Sequence, residues 1–533
     1  MKRWNGWGDE NTSMQLPSSA DAFLQQTLGA GNKSTDISLI SAVSLVPSSK
    51  LENNTFPLIS TDAQQRLRHA RGQSLPDYIA MRTGDIKHFP EGVCFPENRQ
   101  QVKELLVYAK QNNIELIPYG GGTSVAGHIN PKSDSSRAIV TVNMTHMNQL
   151  LDLDEESHIA TFGAGTLGPM VEAQLRAKGY TLGHFPQSFE LSSIGGWIAS
   201  RSSGQQSLRY GRIEQLFAGG NVETFAGSLN LPAFPASSAG PDLREIILGS
   251  EGRFGILTEV KVRVTKLAKY EEFSVLFFPN WHQAKTFCQT VVQNHIQLSM
   301  LRVSNTIETQ TQLKLAGHEQ AISWLEKYLN LRGCSQEKCM LTFGITGSKK
   351  QVKQVKSLLK PWVKKYQGIS AGSLLGKKWQ ENRFRSPYLR DALWQKGYVV
   401  DTLETATNWS NVDNLMKKVE QTLSTTLANN EQVHVFTHLS HVYKQGCSLY
   451  TTYVYKNSKD HHDTLANWQQ LKHNASEVIV KNGGTISHQH GVGKDHAPYL
   501  PVEKGEQGMS VLHSLSAHFD EHKLLNPGTL LND

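Results

Sequence analysis

Between Arg99 and Gln111 the apolar residues Val102, Leu105, Leu106 and Ala109 recur at helical spacing, which predicts a helix with one buried face. Residues 114–118 then read as a short strand running into glycines, and 138–142 as another strand. Residues 158–165 read as a strand ending in a glycine turn, and 167–179 as a helix closed by Gly179. Strands and helices alternate here, so the region is α/β or α+β. A strand over 258–264 closes it. Beyond Ala268 the glycines thin out and the elements lengthen. Strands are expected over 272–277 and 340–346, and helices over 281–293 and 352–366, giving a second domain with an antiparallel sheet covered by helices. Residues 486–531 return to a Gly/Pro-punctuated style. The first stretch, to about Asn54, is rich in Ser, Asn, Thr and Gly. Trp4 and Trp7 mark it as a segment that docks on the body, since tryptophans are seldom left in free tails.

A chain of 533 residues exceeds one compact core. The expected division is a docking segment over 1–83, a first domain over 84–268, a second over 269–485 and a C-terminal segment over 486–533. A net charge of +7 with a pI near 8.9 is mild for this length and is no nucleic-acid signature. Lys349, Lys350, Lys353, Lys356, Lys360, Lys364 and Lys365 make one basic stretch, read as a solvated helix face in preference to a site for an anionic substrate or membrane. The five cysteines are odd in number and scattered, so they form no disulfide framework and fit a reducing cytosol. No apolar run is long enough to span a bilayer, which leaves peripheral membrane contact open.

Three glycine clusters carry the chemistry. Pro118-Tyr-Gly-Gly-Gly-Thr-Ser-Val125 follows a strand directly, and successive bare N–H groups in such a turn form an anion nest suited to a pyrophosphate. It matches neither the G-x-G-x-x-G fingerprint nor a P-loop. Residues 185–204 are rich in small and hydroxyl side chains around Gly195-Gly196, which lets a flat ligand approach the backbone. Glycines recur at 249, 252 and 255 before an apolar strand. Each alone is a turn; together they point to one extended ligand.

In order and spacing these clusters resemble the flavoproteins of the vanillyl-alcohol oxidase and p-cresol methylhydroxylase superfamily. The resemblance implies an α+β fold, with a two-subdomain p-cresol-methylhydroxylase-type (PCMH-type) FAD-binding domain and an α+β cap domain with an antiparallel sheet. The C-terminal segment would return to the flavin site. The implied FAD-binding residues are Pro118, Tyr119, Gly120, Gly121, Gly122, Thr123, Ser124 and Val125; Gln187, Ser188, Phe189, Glu190, Leu191, Ser192 and Ser193; Ser200, Arg201, Ser202 and Ser203; and Glu251, Gly252, Arg253, Phe254, Gly255, Ile256 and Leu257. Many members attach FAD through a histidine in the first turn. This turn has Gly and Thr there, so noncovalent FAD is expected, and His128 just beyond is discounted.

Within that superfamily the chain resembles the alkyldihydroxyacetonephosphate synthases over nearly its whole length. The likeness runs from Trp4-Asn-Gly-Trp-Gly-Asp9 through Ile194-Gly-Gly-Trp197 and Tyr210-Gly-Arg-Ile-Glu214 to Gly483-Gly-Thr-Ile-Ser-His-Gln-His-Gly-Val-Gly-Lys494. It implies exchange of the acyl group of an acyl-dihydroxyacetone phosphate for a fatty alcohol, the ether-bond step of ether lipid biosynthesis. In that family the flavin traps the substrate carbon without net redox change. Arg390 stands where the family places its phosphate-binding arginine, against the plainer reading of a surface salt bridge with Asp391. Tyr450 stands at the acid/base tyrosine; a phenol must be tuned downward to act as a base near neutral pH. Without the resemblance it reads as a packed strand tyrosine. Arg302 matches an arginine kept near the flavin and otherwise reads as an exposed strand arginine. His488, Gln489 and His490 occupy a run of three histidines, with glutamine in the middle place; glutamine carries no proton at neutral pH. Alternating His488 and His490 open chelation, but no carboxylate or cysteine joins them locally, so no metal is expected.

The alternative is an FAD-dependent dehydrogenase of D-2-hydroxyacids such as lactate or glycolate, whose closing motif His490-Gly-Val-Gly493 satisfies. Gln489 leans toward it, whereas Arg390 and the early tryptophans lean toward the synthases. A non-catalytic flavin scaffold is the third reading, disfavoured by Arg302, Arg390, Tyr450 and His490. The expected partner is a phosphorylated lipid-type small molecule, with no nucleic acid. A cytoplasmic setting is expected; membrane association and homodimer formation stay open.

Overall fold

The computed structural model describes residues 2–132, 135–317, 319–428 and 431–532. Helix Arg99–Asn112 begins where the Asn98 side chain accepts the Gln101 amide and ends at Asn113, at φ 53°. Its apolar face packs on a four-stranded sheet ordered Ile59–Ser60, Gly92–Cys94, Ile139–Asn143, Glu115–Tyr119. Ile139–Asn143 pairs parallel with both neighbours and is buried along its whole length, which suits its β-branched Ile-Val-Thr-Val run. A second, antiparallel sheet runs in the order Leu150–Asp154, Ile159–Gly163, Ile256–Arg263, Phe217–Thr224, Gly227–Leu231. These two sheets correspond to the two subdomains that the resemblance implies.

The third sheet has seven antiparallel strands, in the order Ile369–Ser370, Tyr270–Phe278, Cys339–Gly347, Met300–Ser304, His434–Val442, Gly446–Lys456, Tyr398–Asn408. The two-residue period of a strand sorts its faces. Leu301, Val303, Val435, Leu439, Leu449 and Tyr453 share a core with helices Trp281–Gln293, Lys349–Lys365, Val412–Thr425 and His461–Lys481. Arg302, His438, Ser440, Tyr450 and Thr452 face a cavity instead. Lys349–Lys365 buries Val352, Val355 and Leu359 and leaves its lysines outward; only Lys356 is half-buried, paired with Glu272 at 2.5 Å.

Two chain segments tie these parts together. Near the C-terminus, Leu116 N donates to Leu524 O at 2.7 Å and Asn526 N to Leu116 O at 2.8 Å, edging the first sheet. Residues 2–8 form a strap: Lys2 Nζ donates to Gly121 O at 2.6 Å, and Arg3 pairs with Asp391 at 2.7 Å. Asp391 also pairs with Arg82 and accepts from Tyr78 Oη at 2.7 Å. Removing this buried acid leaves Arg3 without a carboxylate and Arg82 with Asp36 alone, so Asp391→Ala should cost about 3 kcal/mol. The readout is the thermal unfolding midpoint of the flavin-loaded protein; an unchanged midpoint would show that the cluster contributes nothing.

Candidate flavin and substrate site

The glycine turn after Glu115–Tyr119 has no room for side chains. A Cβ on Gly121 would lie 1.6 Å from Leu191 O, and one on Gly120 2.1 Å from Ser193 Oγ. The two loops therefore touch backbone to backbone. With the segment entering Ile256–Arg263 they bound a cavity of about 670 Å³ that extends under the cap sheet. Pro118, Tyr119, Gly120, Gly121, Gly122, Thr123, Ser124, Val125, Gln187, Ser188, Ser192, Ser193, Ser200, Ser202, Ser203, Glu251, Gly252, Gly255, Ile256 and Leu257 line it. Ser203 Oγ and Gln205 Oε1 are buried on its wall without a hydrogen-bond partner, and such atoms call for the polar edge of a ligand. A backbone-lined cradle with orphaned polar groups fits FAD.

Six residues of the expected cofactor set lie outside this lining, each for a packing reason. Phe189 stacks on Phe384 with centroids 5.0 Å apart. Glu190 accepts from Tyr388 Oη at 3.1 Å, and Leu191 offers only the carbonyl that Gly121 abuts. Arg201 pairs with Glu245 at 2.8 Å. Arg253 is fully buried and donates to Leu525 O at 2.6 Å, and Phe254 packs on Phe519. These side chains hold the loops together from behind.

The cap and the C-terminal segment close the other end of the cavity. Arg302, Arg390, Tyr450, Gln489 and His490 line the same cavity. Arg390 does not pair with Asp391: its Nη1 donates to Gln73 O at 2.6 Å and its Nη2 lies 3.9 Å from Asp401. Arg302 pairs with buried Glu308 at 2.5 Å. Burial opposes the Glu308 charge, but His438 and Arg302 outweigh it and hold the carboxyl at about 2. Tyr450 stacks on His438 at 4.8 Å and meets His490 edge-on at 5.9 Å. Its Oη lies 3.3 Å from Thr402 Oγ1. Burial pushes the phenol up to about 12, so it is protonated near neutral pH, the opposite of the downward tuning a base would need. Burial also depresses His490. His488 lies behind the wall, joined to Tyr443 Oη at 2.7 Å, and burial lowers it to about 4. Gln489 Nε2 donates to Glu404 Oε2 at 2.5 Å.

Several site residues escaped the sequence reading. Asp401 sits 3.8 Å from Lys472 and 3.9 Å from Arg390, and both cations lie on the cavity wall. Burial opposes its charge, while Lys472 and Arg390 hold its carboxyl below the usual range. Lys472 had a readable signal: it stands on the apolar face of its helix among Trp468, Leu471, Ala475 and Ile479. His128 lies 3.3 Å from Glu251, which also accepts the amides of Val492 at 2.5 Å and Gly493 at 2.7 Å. At φ +80°, Gly491 sits so close that a Cβ would fall 2.5 Å from His128 Nε2. This cluster clamps the C-terminal glycines onto the flavin domain. Asp401, Glu404 and His438 had no local signal.

Residues 90–229 match the family "FAD binding domain" and 267–530 match "FAD linked oxidases, C-terminal domain". The chain is 30% identical to the alkyldihydroxyacetonephosphate synthase of Dictyostelium discoideum, over 99% of this chain and 93% of that one. A solved alkyldihydroxyacetonephosphate synthase superposes with a TM-score of 0.84 at 29% identity, covering 99% and 98% of the two chains. p-Cresol methylhydroxylase, at 12% identity, shares the fold with a TM-score of 0.67 over 92% and 97%. A mitochondrial D-lactate dehydrogenase of Arabidopsis thaliana is more distant, at 23% over 98% and 86%. Among the described residues no helix is long and apolar enough to cross a membrane.

Proposed function

Because the chain belongs to the alkyldihydroxyacetonephosphate synthase family of FAD-linked enzymes, we propose that it exchanges the acyl group of an acyl-dihydroxyacetone phosphate for a fatty alcohol. The observation that carries this reading is the corner formed by Arg390, Asp401 and Lys472. Two cations against one carboxylate leave a positive charge beside the flavin cradle, as a phosphate requires. A hydroxyacid carboxylate could also take this charge; the 30% identity to a synthase over 99% of this chain and the apolar walls favour the phosphorylated lipid. Met300, Leu315, Trp379, Leu389, Val400 and Phe436 give the cap side apolar walls for an alkyl chain.

FAD bound in the glycine cradle supplies a transient attachment point for the substrate carbon, with no net redox change. The protein does the rest. Arg390 and Lys472 anchor the phosphate. Tyr450 Oη, protonated at neutral pH, donates to the oxygen leaving the substrate carbon and retrieves a proton when the alcohol adds. Gln489, fixed by Glu404, orients substrate without carrying a proton, which leaves His490 and Tyr450 as the proton-handling pair. Arg302, tied to Glu308, keeps a cation at the flavin end. Exposed Trp324 and Leu331, on helix Glu319–Leu331, support peripheral lipid contact.

Anaerobic incubation of the FAD-loaded protein with acyl-dihydroxyacetone phosphate and a long-chain alcohol should yield the ether product with the flavin oxidised at the end. Persistent flavin reduction by D-lactate or glycolate, with no ether formed, would overturn the reading in favour of the dehydrogenases. FAD held without a covalent bond should pass into the supernatant when the protein is precipitated with acid; colour retained in the pellet would contradict noncovalent binding.

A further inference from the structure

At the cavity wall, where His441 lines it and Glu404 and His488 lie behind, these three side chains converge, all less than a tenth exposed. Glu404 Oε1 lies 3.4 Å from His441 Nδ1 and 3.2 Å from His488 Nδ1. Ligands bonded to one tetrahedral zinc at its usual N and O distances stand roughly 3.3–3.5 Å apart. The far side of each imidazole is held. His441 Nε2 meets Gly204 O at 3.2 Å, and His488 Nε2 meets Tyr443 Oη at 2.7 Å. A carbonyl on Nε2 requires the proton there, so the His441 Nδ1 lone pair faces Glu404. His488 Nδ1 is buried beside the same carboxylate without a hydrogen-bond partner. One lone pair turned toward a buried anion and one orphaned ring nitrogen beside it, with the opposite nitrogens held by an outer shell, are how histidines are set for a metal.

We infer that Glu404, His441 and His488 form a buried site for a divalent metal ion, and their two-nitrogen, one-oxygen donor set favours zinc. Ser440 Oγ lies 2.5 Å from Glu404 Oε1 and 2.9 Å from His441 Nδ1, closer than two ligands of one ion stand, so it is a hydrogen-bonding neighbour and the fourth position would fall to water. The neighbouring cation, Arg212, is paired with Glu214 at 3.2 Å. Glu404 Oε2 points the other way, toward Gln489 at 2.5 Å and His490 at 3.8 Å. The ion would thus fasten the C-terminal histidine run to the cap sheet and fix how Gln489 and His490 face the cavity. The carboxylate missing from the local sequence comes from strand Tyr398–Asn408. This inference does not depend on the reaction proposed above.

The test is the metal content of the FAD-loaded protein, produced with zinc present and desalted into metal-free buffer. About one zinc per chain is expected, falling to under about a tenth in His441→Ala and in the nearly isosteric Glu404→Gln, with flavin content retained. Cobalt(II) in place of zinc should show the strong visible bands of tetrahedral ligation in the parent protein and lose them in both variants. Absence of any first-row metal, both as purified and after incubation with excess zinc, would overturn the site. So would metal content that is equal in the parent and both variants.

Discussion

Tyr450→Phe should lower kcat for ether formation by about 10²–10⁴-fold, the usual worth of a positioned proton donor. The phenyl ring keeps the stack on His438, 4.8 Å away, so substrate and flavin affinity should stay near those of the parent. The hydroxyl alone is removed, and among the described residues its hydrogen-bond partner is Thr402 at 3.3 Å. Because burial holds the phenol at about 12, Tyr450 stays protonated across the range in which the enzyme is assayed. Its loss should therefore lower the pH–rate profile without moving an alkaline limb. A variant within twofold of the parent kcat would take Tyr450 out of the reaction and leave His490 as the sole candidate.

Arg390→Ala should instead act on binding. Truncating one partner of a desolvated charge pair costs about 2–5 kcal/mol, roughly 30- to several-thousand-fold in affinity for the phosphorylated substrate. The guanidinium is already aimed, since Gln73 O holds Nη1 at 2.6 Å. Its loss also leaves Asp401 facing the substrate phosphate with only Lys472 to offset it. FAD content should not change. Arg390→Lys should restore part of the affinity, because the charge returns without the bidentate fork. If the substrate KM is unchanged in Arg390→Ala while FAD remains bound, the phosphate lies elsewhere.

The flavin cradle was legible because its information is local. Glycines that must let two loops touch, such as Gly121 against Leu191, announce themselves in a short run. Helices were legible for a related reason: the buried face of Arg99–Asn112 is written in its own period. Sheet order was not, since the cap places Met300–Ser304 beside His434–Val442 through pairings that no local pattern records. The charged partners escaped for the same reason. Arg390 reads as a neighbour of Asp391, yet helical geometry turns adjacent side chains apart, and Asp391 goes to Arg3 and Arg82. The phenol of Tyr450 was expected to need downward tuning; burial, invisible in sequence, moves it upward.

The strap of residues 2–8 sets a timetable for assembly. During synthesis at about 5–20 residues per second, Arg3 leaves the ribosome roughly 20–80 s before Asp391 exists. The pair therefore cannot form until the cap has been made as far as Asp391. Until then Lys2 and Arg3 cannot span the glycine turn and the helix that carries Arg390, so the nascent flavin domain stays unlatched on that side. Latching thus waits on the first part of the cap, which makes the strap a record that synthesis has passed Asp391.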